Sequence, residues 1–194
     1  SSIKVKLIEP EEKDQMMRRI YGFVNSTWAD SPSELTGTED QMRDSLDQML
    51  VGRALQLGLE TVSFTFLISG ITHIDAQQIT RQRIGVTFSA QCTGDRFLNH
   101  NDILVEECIA ENLDVLDDYV NTTLKTKMMY SRLVDTGISI QAARSILPRN
   151  IETFYHMHTN LMTLLFFHQK RIDDGSQTWQ INEIAQQMEP LSFW

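Results

Sequence analysis

The chain has 194 residues, with 26 acidic against 17 basic side chains and a formal net charge of −9. That length allows one domain with a real core, and the acidic balance argues against a phosphate polymer as partner while leaving a single nucleotide compatible. Two cysteines, Cys92 and Cys108, rule out a disulfide framework and point to the reducing cytoplasm. The longest strongly apolar run, Leu161 to Phe167, is far shorter than the roughly 20 residues of a membrane span, so with no cleavable signal pattern at its start a soluble protein without membrane contact is expected.

Ile3 to Ile8 alternates β-branched and charged residues, the period of a half-buried strand, and Glu9 and Pro10 end it. A helix follows over Glu11 to Val24, with Met16, Met17, Ile20 and Phe23 on one face, then a polar loop to Gly37. Met42, Leu46, Met49, Leu50 and Ala54 recur at helical intervals, which predicts a helix from Thr38 to Leu57, stopped by Gly58. From Glu60 to Ser69 the alternation of Val62, Phe64, Phe66 and Ile68 with small hydroxylated residues predicts a strand. Gly70 to Thr72 reads as a bend, and Asp75 as the cap of a short helix reaching Arg83.

Gln78 to Phe97 gathers Arg81, Arg83 and Arg96 around a loop of small and hydroxylated residues. Guanidinium groups hold phosphate or carboxylate through paired charge-assisted hydrogen bonds, so in an acidic chain this cluster points to a bound anion. The same arginines in mere surface ion pairs are the competing reading. Asn101 or Asp102 is placed to cap a long helix reaching Leu133, with Ile103, Ile109, Leu113, Leu116, Val120 and Leu124 on its apolar side. After Gly137 come a short helix (Ser139 to Ile146), a strand (Ile151 to His158), a buried helix (Thr159 to Lys170), a turn at Asp173, Asp174 and Gly175, and a last helix from Trp179 to Met188 ahead of Pro190. With no linker and no repeat, the expectation is one α+β domain over residues 1–194, with an antiparallel sheet and several helices. A buried apolar helix in a modest domain also points to oligomerisation.

Ala143, Arg144, Leu147 and Pro148, a strand, Asn160 opening a helix and Arg171 closing it resemble the C-terminal half of the flavin-dependent thymidylate synthases. Glu60 to Phe66, and Gln78 to Arg83 with Gln82 in place of a family His, resemble its first half in the same order; Thr93 to Phe97 resembles the end of its substrate loop, here about three residues longer. The resemblance implies reductive methylation of a uracil ring at carbon 5, in a pyrimidine nucleoside monophosphate. FAD would be the cofactor, NADPH and methylenetetrahydrofolate the co-substrates, and a homotetramer the assembly. Arg171 is then expected to be catalytic, contacting the uracil ring and stabilising its developing charge. Arg144 and Arg96 would bind the phosphate beside Gln91, Cys92, Thr93 and Gly94; Gln78 and Arg81 would border nucleotide and flavin; Arg81, Gln82, Arg83 and Asn160 would contact the flavin. No metal is expected: His156 and His158 share a strand face but bring no third ligand. Cys92 reads either as a packing thiol or as a nucleophile toward the uracil ring. Departures from the family pattern, at Leu55, Leu57, Thr61, Gln82, Met162 and Phe166, concentrate where flavin and folate are expected. dUMP is the family default; the departures and the longer loop suit a relative with shifted substrate choice, such as a UMP methylase of a nucleoside-antibiotic pathway or a phage enzyme, with a member that binds nucleotide without turnover as the alternative.

Overall fold

A computed structural model describes residues 2–52, 56–173 and 179–192. Four strands, β1 (Lys4–Ile8), β2 (Ser63–Thr72), β3 (Val86–Ala90) and β4 (Glu152–Asn160), form one antiparallel sheet in the order β1-β2-β4-β3. With the helices this makes the expected α+β architecture. The chain's contacts gather into two compact units: one takes Ser1–Lys4, Ile68–Arg81 and Ser89–Tyr155, the other Val5–Leu67, Gln82–Phe88 and His156–Trp194.

In the second unit, α1 (Lys13–Asn25) and α2 (Glu39–Leu50) bury Met16, Met17, Ile20, Met42, Leu46 and Met49. Val24 takes the inward position expected of Phe23, which is exposed. Thr38 caps α2 in a reciprocal box, its hydroxyl accepting from Gln41 N and the Gln41 side chain accepting from Thr38 N. The helix ends at Leu50, short of the expected Leu57; Ala54 and Leu55 lie outside the described residues, and 56–61 make a 3₁₀ turn. Gly58 is a packing residue rather than a helix stop, because a Cβ there would lie 2.6 Å from Val24 Cγ2. The apolar α7 (Leu161–His168) buries Leu161, Leu164 and Phe167, then widens into a π turn over Gln169–Asp173. The rest of the expected turn, Asp174 and Gly175, lies outside the described residues. The last helix (α8 below) continues through Pro190, past the expected end, since a proline in a final turn removes only one ladder bond.

In the first unit, Gly70 belongs to β2 rather than to a bend. Its φ is +71°, Ser2 Oγ donates to its carbonyl at 2.9 Å, and a Cβ would lie 2.0 Å from the Ser2 carbonyl oxygen, so only glycine admits this backbone approach. α3 (His73–Ile79) is capped by Thr72, not by Asp75; buried Asp75 closes the box from the helix side by accepting from Thr72 N at 2.9 Å. Strand β3 lies where a loop was expected. The long helix starts later than expected, because 102–104 pair with the start of β4: Ile103 bridges Ile151, and Glu152 N donates to Asp102 O at 2.8 Å. A short α4 (Glu107–Ala110) therefore precedes α5 (Leu113–Asp135). Tyr130 of α5 packs with Leu98, Ala143 and Ile151 into a core, whereas Leu113 and Leu124, expected to face inward, are exposed. α6 (Ile140–Ala143), capped by Ser139, completes this unit; α8 (Trp179–Ser192) completes the other.

Candidate functional site

The expected site residues fall into two groups, one on each unit. On the first, β3 feeds the loop 91–96. Gln91 N donates to Phe154 O at 3.1 Å, and the Gln91 side-chain oxygen accepts from Asn101 Nδ2 at 3.0 Å, so the loop leaves the sheet from a fixed point. Cys92 Sγ donates to Asp95 Oδ2 at 3.1 Å and accepts from Gly94 N at 3.4 Å, closing a tight turn that carries Thr93 and Gly94. Arg144 lies against that turn: a Cβ on Gly94 would meet Arg144 Nη1 at 2.7 Å. The loop's far end is pinned by the Tyr130 hydroxyl, which accepts from Leu98 N at 3.3 Å and donates to Arg96 O at 3.4 Å. The structure therefore brings Cys92, Thr93, Gly94 and Arg144 together. Cys92 is exposed and faces Asp95, closing the turn through its sulfur rather than packing into a core.

Gln78 is half-buried on α3, and Arg81 is exposed two residues past its end. Arg81, Arg83, Arg96 and Arg144 are all exposed and, among the described residues, none is ion-paired, whereas Arg19 and Arg43 pair with Glu11 and Glu39. The ion-pair reading of the arginine cluster is not what the structure adopts. Behind α3, burial pushes the Tyr155 phenol well above its ordinary range, with the Asp75 charge adding to the effect.

The second group surrounds a cavity of about 370 Å³ at the start of α7. Asn160 caps that helix, its Oδ1 accepting from Thr163 N at 2.8 Å. Its backbone N donates to Gly85 O at 3.0 Å, and Thr163 Oγ1 donates to Ile84 O at 3.0 Å, so segment 84–85 is latched onto the helix start. Gly85 has φ +69°, and a Cβ there would lie 2.1 Å from Thr163 Oγ1. Gln82 and Ile84 line the cavity from one side; Met162, Phe166 and Lys170, four residues apart along α7 and into the π turn, line it from another, with Glu60 at its edge. Arg83 is exposed and does not line it.

In the π turn, Arg171 lies with its guanidinium carbon 5.5 Å from the centroid of the Phe167 ring. A second cavity of about 300 Å³, with Leu50, Leu59 and Leu165 in its lining, shares Met162 and Phe166 with the first. Of the other departures, Leu57 is exposed, Thr61 Oγ1 donates to Gly58 O at 2.6 Å, and Leu55 lies outside the described residues. His158 Nδ1 is 2.9 Å from Thr65 Oγ1, and among the described residues no three His, Cys, Asp or Glu side chains converge as a metal site. Ile84, Gly85, Thr163 and Lys170 did not emerge as site residues from the sequence. The four-residue spacing of Met162, Phe166 and Lys170 was the available signal for Lys170.

Over 97% of this chain and 89% of the other, the fold superposes with a TM-score of 0.76 and 17% identity on the crystal structure of a UMP/dUMP methylase, PolB from Streptomyces cacaoi, bound with 5-Br dUMP. Residues 7–191 match the family described as thymidylate synthase complementing protein, and the chain belongs to that family. A flavin-dependent thymidylate synthase of Pyrococcus abyssi is 27% identical over 154 residues, 77% of this chain and 62% of that protein. One from Thermococcus kodakarensis is 26% identical over 196 residues, 97% of this chain and 78% of that protein. The chain spans only 54% of a third such relative, from Pyrococcus furiosus.

Proposed function

We propose that this protein catalyses flavin-dependent reductive methylation of a uridine monophosphate at carbon 5, converting dUMP to dTMP, with methylenetetrahydrofolate as carbon donor and NADPH as reductant. Family membership supports the reaction class. The observation that carries the substrate is the Arg144 guanidinium, exposed, without an ion pair among the described residues and set against the Cys92–Gly94 turn, an arrangement suited to a phosphate monoester. Arg144 and Arg96 hold the phosphate in this reading, helped by Gln91, Cys92, Thr93 and Gly94, while Gln78 and Arg81 border the nucleotide. Arg171 neutralises charge that develops on the uracil ring.

The cavity residues fit a flavin ring. Ile84, Met162 and Phe166 offer apolar surface to a flat heterocycle, and Gln82 and Asn160 bring amide groups for its polar edge. Bound flavin, reduced by NADPH, would supply the hydride. The chain's own contribution is to latch segment 84–85 and to present Gln82 and Asn160 at fixed positions, with Arg81 and Arg83 available to the rest of the FAD molecule. We further propose that residues 1–194 act as one functional domain in the cytoplasm, within a homotetramer; exposed Leu113, Leu124 and Met128 on α5 support assembly.

A second reading, a UMP-specific methylase, is favoured by the superposition on a UMP/dUMP methylase. The test is a competition assay with equal dUMP and UMP, FAD, NADPH and methylenetetrahydrofolate, followed by mass spectrometry of the nucleotides. Methylated dUMP is the expected product. Methylated UMP supports the second reading, and no product with both nucleotides still bound identifies a binding-only protein.

A further inference from the structure

Resting on the flavin reading above, we infer that Lys170 sets the electrostatics of the α7 cavity, acting as the cation that favours the two-electron-reduced, anionic form of the ring bound there. Its position is fixed by the helix. Met162, Phe166 and Lys170 follow one another at four-residue intervals and all line the cavity, so they form one stripe running into the π turn. Consecutive residues on a helical turn project in different directions, so Lys170 lines the cavity while Arg171 lies over the Phe167 ring.

Lys170 and Glu60 are the only charged side chains lining this cavity among the described residues, and no ion pair or hydrogen bond engages either one. The lysine charge is therefore not neutralised by a fixed partner. Met162 and Phe166, next to it on the stripe, bring no polar group that would compete for the ring's anionic edge. Lys170 is exposed, so solvent moderates its field, but an ammonium at the ring's edge still stabilises added negative charge more than it stabilises a neutral oxidised ring. The predicted signature is a difference between two ligand states rather than a loss of overall affinity.

The test uses the full chain with added FAD, comparing the wild-type protein with Lys170→Met and Lys170→Arg. Binding of oxidised FAD is read by fluorescence quenching, and the midpoint potential of the bound flavin by equilibration with a reference dye. Expected for Lys170→Met is oxidised-FAD affinity within about twofold of wild type and reduced-FAD affinity about tenfold weaker, which lowers the midpoint potential by about 30 mV for a two-electron couple. Lys170→Arg, which keeps the charge, restores the wild-type potential. An unchanged potential in Lys170→Met overturns the role of Lys170 while leaving the flavin reading intact. A wild-type chain that quenches no FAD fluorescence at any concentration overturns both.

Discussion

The loop 91–96 with Arg144 and the cavity at the start of α7 are built in opposite ways. In the first, the backbone is tied down at Gln91, Gly94 and Arg96, and the cations stand exposed around it. In the second, main-chain shape is the main device: Gly85 pressed on Asn160 and Thr163, apolar side chains on the walls, and charge confined to Lys170 and Glu60. Under the proposed function, nucleotide affinity rests on side-chain charge in the first region and flavin affinity on backbone fit in the second. Substitutions should therefore separate the two.

The largest expected effect lies at Arg171. Arg171→Ala keeps the fold, by circular dichroism, but lowers turnover about 10²- to 10³-fold, as losing a group aimed at developing charge does; retained turnover removes it from catalysis. Arg144→Ala weakens nucleotide binding about 10- to 100-fold by calorimetry, the scale of lost hydrogen bonds to a charged group, with FAD binding unchanged. Equal loss of both ligands would break the contrast. Gly85→Ala does the converse. It places an L side chain at φ +69° with its Cβ on Thr163 Oγ1, costs about 1–3 kcal/mol in urea unfolding, and weakens FAD binding with little effect on the nucleotide.

The smallest effect concerns pH. Burial holds the His73 imidazole below its ordinary range, so the unfolded chain binds the extra proton first. Its contribution is full above the unfolded value of about 6.5 and is lost as pH falls from there through the lower folded value. His73→Gln should flatten the fall in thermal midpoint between about pH 7 and 5.

Much of the fold was legible because burial imposes a period. Phe64, Phe66 and Ile68 alternate because one face of β2 is buried, and Met16, Met17 and Ile20 follow the helical repeat of α1. β3 shows the same period, with Val86 and Phe88 half-buried between exposed Thr87 and Ser89, but it is a short edge strand beside an arginine-rich segment, and its backbone pairing with β4 is not visible in the sequence. The start of α5 was hidden for a related reason, since Asn101, which reads as a helix cap, spends its amide on Gln91 Oε1 and Glu152 O. At the candidate site, residue types were readable but pairing was not. The i,i+4 spacing makes the Glu39–Arg43 pair readable, but nothing in the sequence tells that Glu11 takes Arg19 while Arg144, among the described residues, is left without an ion pair, because that depends on which side chains the fold brings within reach.

The outward apolar residues of α5, Leu113 and Met128 at 79% and 70% exposure among them, have a thermodynamic consequence of their own. If copies of the chain cover that face, the folding equilibrium includes an association step, and mass action makes the melting temperature rise with protein concentration. Stability would then belong to the solution as much as to the molecule.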